Sequence, residues 1–325
     1  MNQRAFLAIA LASFTAAALA PGEAFAQYPT RPIRVVVPFP PGGVVDTVGR
    51  MWVQRVSPSL GAMVVDNRPG AGGVIGAGEV VRAQPDGHTL LIGNTSTQVL
   101  NPAIMTRPPY DPGKDFATVD IIAISATSII VLPSLPVRSL GELVRYAKAN
   151  PGKLSYASAG AGTITHLAGE MFKQRAGNLQ ILHVPYKGVG IATTDLVSGY
   201  VPMLIANVTG QLLNLHQAGK IRILAVNVPQ RLKGAPGIPT ASPTVPNLVA
   251  TLFTGVFAPA GTPKSIVERV SHATRQALAD KGFQKLLLDS GIEPVLDSSP
   301  EKAQRFIDEE RGRLMPVIEA TGFKK

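Results

Sequence analysis

Two glycine-containing stretches hold the residue types best suited to gripping an anion. The first is Phe39-Pro40-Pro41-Gly42-Gly43-Val44-Val45-Asp46, and the second is Ser158-Ala159-Gly160-Ala161-Gly162-Thr163. Glycine lets a backbone approach a ligand closely, and the first N–H groups of a following helix are unpaired donors at the positive end of its dipole. Such a loop captures a carboxylate through backbone amides, to which Ser158 and Thr163 add hydroxyls. For one loop alone a tight turn is an equal explanation. Two such loops, one in each half of the chain, point to a clamp that holds an anion from both sides. Asp46 falls where a helix should begin, so it serves either the helix dipole or the ligand.

Other constellations stop short of a reaction centre. His166 and Glu170 stand four apart on one helix face, as a metal site would begin, but no third ligand follows at a metal-binding spacing. Gly70-Ala71-Gly72-Gly73-Val74-Ile75-Gly76 approaches a dinucleotide fingerprint, with one residue too many and no acidic partner at the required distance. Ser158 lacks the Gly-x-Ser-x-Gly elbow, no lysine follows a glycine loop as in a nucleotide-phosphate site, and the five histidines are scattered. The absence of cysteine removes thiolate chemistry and disulfides. No catalytic residue, metal or cofactor is therefore assigned.

The elements that must position the two loops can be traced along the chain. Ile33 to Val37 is a β-branched strand running into the first loop, and Val44, Val48, Met51, Trp52 and Val56 follow at helical spacing. Met63 to Val65 is a second strand, Asn67 to Gly70 a turn, Val74 to Ala83 a helix, and His88 to Ile92 a third strand. After a proline-rich passage the theme restarts with a helix on Leu140, Leu143, Val144 and Ala147. The strand Leu154 to Ala157 enters the second loop, and a helix carrying Leu167, Met171 and Phe172 leaves it. Ile181 to Val184 and Ile221 to Val226 are further strands, with a helix around Asp195 to Val197 between them. Alternating strands and helices predict an α/β fold with a mainly parallel sheet.

Residues 229–247 contain five prolines and read as an extended connector. Beyond it come a strand at Thr254 to Ala258, a helix with Ile266, Val270 and Ala277, and a last helix with Phe306, Ile307, Leu314 and Ile318. These C-terminal elements complete the first of two doubly wound lobes, so residues 27–128 and 250–325 form lobe 1 and 129–249 form lobe 2. The chain then crosses between lobes twice, leaving a central cleft.

Met1-Asn2-Gln3-Arg4, an uncharged apolar stretch from Ala5 to Ala20 and the small-x-small site Ala24-Phe25-Ala26 make a signal peptide of residues 1–26. Export to the periplasm follows. The net charge of +10 favours anions, but the basic residues are dispersed and there is one tryptophan, so nucleic acid is not the partner.

At these motifs the chain resembles the Bug family, the periplasmic binding proteins of tripartite tricarboxylate transporters. The resemblance lies in Val37 to Gly43 with Asp46 and Arg50, Asp66 to Gly73, Pro85 to Leu91, Tyr156 to Thr163 with His166, His183 to Gly188, and Phe257 to Pro263. It implies a type II periplasmic-binding-protein fold and a cofactor-free, metal-free, monomeric receptor. Such a receptor binds a di- or tricarboxylate, an acidic amino acid or an aromatic acid, and hands it to integral-membrane transporter subunits. It further implies that Phe39, Pro41, Gly42, Gly43, Val44 and Asp46 form one jaw and Ser158, Ala159, Gly160, Gly162 and Thr163 the other. Ser96, Thr97, Ala206 and Asn207 would meet the variable end of the ligand. A periplasmic sensor feeding a membrane signalling protein is the alternative within the same resemblance, and an envelope enzyme comes third. Val44-Val45 stands where the family often has a small or hydroxylated residue, which leaves the backbone to do the binding and opens the question of which acid is bound.

Overall fold

The computed structural model describes residues 28–323, so the leader expected at 1–26 lies outside the described residues. Ten strands form one continuous sheet. They are β1 (Ile33–Val37), β2 (Met63–Asn67), β3 (Thr89–Asn94), β4 (Phe116–Val131), β5 (Leu154–Ser158), β6 (Ile181–Pro185), β7 (Met203–Asn207), β8 (Arg222–Val226), β9 (Thr251–Pro259) and β10 (Ile292–Pro294). The order along the sheet is β2-β1-β3-β9-β4-β7-β5-β6, with β8 and β10 also paired to β4.

The expectation of a mainly parallel sheet needs correction. β1, β2 and β3 pair in parallel, as do β5, β6 and β7, but every partner of β4 runs antiparallel to it, and β9 runs antiparallel to β3. The antiparallel centre arises because β4 and β9 carry the chain past the middle in opposite directions. β4 spans 16 residues, the longest strand, in a stretch to which the sequence pattern assigns no element. Its sequence is nearly all apolar or hydroxylated and is buried almost throughout, so it shows no alternation that would reveal a strand. Phe116 to Ala126 pairs with β9, and Thr127 to Val131 pairs with β7 and β8.

Three segments are tied together where β4 passes from one group of strands to the other. The Thr127 amide and hydroxyl both donate to the Ala250 carbonyl, at 3.0 and 2.8 Å. The Asn227 amide donates to the Thr127 carbonyl and its side-chain Nδ2 to the Thr127 hydroxyl, at 2.8 and 2.9 Å. The Ala250 amide closes the set on the Asn227 carbonyl at 2.9 Å. Between residues 227 and 250 the proline-rich connector forms neither helix nor named strand, as its composition predicts.

Nine helices of eight residues or more flank the described sheet: α1 (Val44–Leu60), α2 (Val74–Val81), α3 (Leu140–Ala149), α4 (Ile164–Arg175), α5 (Val189–Val197), α6 (Gly210–Gln217), α7 (Lys264–Ala279), α8 (Lys281–Asp289) and α9 (Pro300–Thr321). α1 buries Val44, Val48, Trp52, Val56 and Leu60, a stripe at four-residue intervals that fixes which way its first turn points. Trp52 is fully buried, and its Nε1 donates to Thr274 Oγ1 on α7 at 3.0 Å. Replacing the hydroxyl by a methyl leaves that indole N–H unpaired in the core. Thr274→Val should therefore cost about 1–3 kcal/mol in urea denaturation, while Thr274→Ser, which keeps the acceptor, should cost less.

Candidate ligand-binding cleft

The loop after β1 is held by a polar network made from its own neighbours. Asp46, only 4 % exposed, accepts the Gly42 amide at 3.1 Å, Arg50 Nε at 2.9 Å and Asn67 Nδ2 at 2.9 Å. Asn67, expected in a turn, is the last residue of β2 and also donates to the Phe39 carbonyl at 2.9 Å. Asp46 thus faces the loop interior and shapes it. Gly42 takes φ +88°, a conformation that favours glycine, and the helix then starts at Gly43 with no side-chain cap. Among the described residues no group accepts from the first-turn amides of Val44 and Val45.

The loop after β5 is organised differently. Ser158 is fully buried, its hydroxyl 2.7 Å from His183 Nε2 and accepting the Gly160 amide at 3.1 Å. Thr163 caps α4 by accepting the His166 amide, and its hydroxyl donates to the Gly160 carbonyl at 2.7 Å. Thr165 Oγ1 accepts the Ala159 amide at 2.9 Å and lies 2.9 Å from Thr163 Oγ1. The donors of this loop are largely spent on itself. A second open helix start comes instead from α5, where Gly188 precedes Val189 with no side-chain cap. The family motif His183 to Gly188 contains this junction of strand, glycine and helix, which is the one signal in the sequence that marks it.

These pieces surround a cavity of about 30 Å³. Of the residues expected at the site, Phe39, Gly43, Val44, Ser96, Ala159, Thr163 and Asn207 line it together. The structure adds Pro40, Val45, Ile164, Thr165, Gly188, Val189 and Leu252. Val45, Ile164 and Thr165 are neighbours of expected residues, whereas Leu252 on β9 has no local signal at all. Gly160 lines an adjoining cavity of about 310 Å³ with Gly70 to Gly73, Tyr186 and Lys187, which shares Phe39 and Ala159 with the first. Pro41 and Gly42 are exposed on the outer side of their loop. Thr97 turns into the core, where its hydroxyl accepts the Asn94 amide, and Ala206 is buried within β7. Gly162 is buried, with its amide 3.3 Å from His166 Nδ1.

The two banks touch. The Ile164 amide donates to Ser96 Oγ at 3.1 Å, and a Cβ at Gly188 would come within 2.9 Å of Pro40. Beneath the second loop, His166 and His183 stack with ring centroids 3.8 Å apart, Tyr156 continues the stack on the His183 side, and Phe323 packs against His166 at a tilt of 52°. Glu170 accepts the Tyr156 hydroxyl at 2.7 Å and Lys173 Nζ at 2.8 Å, so it is committed to this cluster. No group of three metal-ligating side chains forms among the described residues.

Two outcomes follow from this geometry. Asp46→Ala removes the acceptor shared by three donors, and it should cost about 1–3 kcal/mol of stability and loosen the loop that precedes α1, measured by urea denaturation. Burial lowers the His183 imidazole from 6.5 to about 4, opposed by Glu170 and assisted by Lys173. The unfolded chain takes up this proton near pH 6.5 and the native chain only near pH 4, so stability falls as pH drops through that window. His183→Gln should flatten this loss when unfolding is followed at a series of pH values.

Comparison with known proteins places this cleft in a family. The family model described as Tripartite tricarboxylate transporter family receptor matches residues 48–323. A protein of the tcbD–tcbE intergenic region of Pseudomonas sp. (strain P51) is 39% identical over 98% of this chain and 94% of its own. Protein BugT of Bordetella pertussis is 33% identical over 100% of this chain and 99% of its own. Among solved structures, R. palustris Rpa4515 with adipate is 34% identical with a TM-score of 0.88, covering 92% of this chain and 99% of that one. The periplasmic binding protein BugD is 31% identical with a TM-score of 0.86, covering 92% and 100%. MatC from Rhodopseudomonas palustris with bound malate is 28% identical with a TM-score of 0.83, covering 90% and 100%. The fold is therefore that of the two-lobed type II periplasmic binding proteins, and the chain belongs to the tripartite tricarboxylate transporter receptor family.

Proposed function

We propose that this protein is a periplasmic receptor that captures a small carboxylate in the cleft and passes it to the integral-membrane subunits of a tripartite tricarboxylate transporter. The observation that carries this reading is the convergence of two uncapped helix starts, α1 at Gly43 and α5 at Gly188, on one cavity. Unpaired amides at the positive ends of two helices suit an anion without any cationic side chain. The adipate and malate of the two related structures are carboxylates and support the ligand class.

Residues 27–128 with 250–325 act as one lobe and 129–249 as the other, hinged where Thr127, Asn227 and Ala250 are joined. Closure brings α1 of the first lobe and α5 of the second onto the same carboxylate, so the ligand stabilises the closed form because only that form lets both donate. Ser158 and His183 form a pair, but it lies under the loop with the hydroxyl fully buried, which supports a receptor that releases its ligand unchanged.

Ser96 tests closure directly, since its hydroxyl accepts the Ile164 amide across the cleft. Ser96→Ala leaves that amide unpaired only in the closed form, so ligand affinity should fall roughly tenfold, while the ligand-free midpoint of unfolding stays close to the parent. Native mass spectrometry of the purified protein and a thermal-shift screen of carboxylic acids identify the ligand. An acid that raises the midpoint and is recovered unaltered supports the receptor reading. Turnover of the bound acid, or no response to any acid, would sink it.

A further inference from the structure

We infer that the cleft selects a monocarboxylate whose remaining body is compact and apolar, and discriminates against di- and tricarboxylates. This rests on the reading of the cleft as a carboxylate site. The apolar side chains lining the cavity are those of Phe39, Val44, Val45, Ile164 and Leu252, each at most 9 % exposed. Among the described residues, no Lys, Arg, His, Asp or Glu side chain lines this cavity.

The polar side chains that line it are few and uncharged. Thr163 and Thr165 bond to each other and to the loop backbone, while Ser96 Oγ accepts the Ile164 amide and Asn207 Nδ2 donates to the Ser125 carbonyl at 3.3 Å, which leaves the Ser96 O–H and a second Asn207 N–H as neutral donors. The buried carboxylate of Asp46, in the first turn of α1, is held by Arg50, Asn67 and the Gly42 amide. One carboxylate can be received by the free amides of α1 and α5. A second would enter apolar surroundings with no counter-charge and with an acidic side chain nearby, and a buried charge without a partner is strongly disfavoured. The valines matter most, because at the same volume a threonine would supply a hydroxyl where each now presents a methyl.

Lys187 is exposed and lines the adjoining cavity, which shares Phe39 and Ala159 with the first. An acid long enough to pass these residues would place its second carboxylate there, and this is the arrangement that competes with the proposal.

Titration calorimetry on the purified chain decides the matter with acids matched in carbon number: butyrate against succinate, hexanoate against adipate, with benzoate, malate and citrate added. The expected result is that each monocarboxylate binds about tenfold or more tightly than its matched diacid, and that Val45→Thr narrows this ratio. A preference below tenfold, or its inversion, overturns the inference while leaving carboxylate capture intact. In that event a loss of adipate affinity on Lys187→Ala locates the second carboxylate in the adjoining cavity. If no acid of either kind binds, the carboxylate reading itself fails, and the inference with it.

Discussion

Everything about the cleft depends on how β4 passes through the middle of the molecule. At Thr127 a single residue bonds to the residue that follows β8 and to the residue that precedes β9, so three passages of the chain are joined at one point. Thr127 and Asn227 are fully buried, and their backbone groups, the Thr127 hydroxyl and the Asn227 side-chain N–H group are paired among themselves and with Ala250 where regular sheet pairing changes partners. With that point fixed, β1 delivers a glycine loop and β3 delivers Ser96 to the cleft from one side, and β5 and β6 deliver two glycine junctions from the other.

The two sides contribute unequal chemistry. On the α4 side, Ser158, Thr163 and Thr165 spend their hydroxyls on the loop itself, which makes a stiff bank. On the α1 side, Asp46, Arg50 and Asn67 hold the loop from behind and leave the first helical amides open. Residues that look like ligand contacts by chemistry are thus in part the scaffold, and the groups proposed to bind are backbone atoms that carry no side-chain signature. α5 adds a second set of open amides because Gly188, at φ +155° and against Pro40, leaves no side chain to cap them.

Much of this was legible in the sequence because the glycine loops sit between β-branched runs and helices with clear apolar stripes. β1, α1, β5 and α4 fall where that pattern puts them, and seven of the residues expected at the site line one cavity. β4 was not legible, since a strand buried on both faces has no alternation to read. Nor was β7, whose five residues are all buried. Leu252 reaches the cavity only through the pairing of β9 with β4, a long-range contact that no local pattern encodes. Asp46 shows the limit from the other direction, because its spacing marks a helix start while its role depends on Asn67, 21 residues away.

A cavity without charged side chains inside a protein of net charge +10 separates the two rate constants of capture. The dispersed lysines and arginines create a long-range field that draws anions toward the surface, and salt screens such a field over about 8–10 Å. In the proposed receptor, the amides at the ends of α1 and α5 act only at contact and are shielded from solvent ions once the banks close on the acid. Ionic strength therefore governs how quickly an acid arrives and hardly touches how long it stays, so the dwell time that a membrane partner encounters is set by the fold and not by the medium.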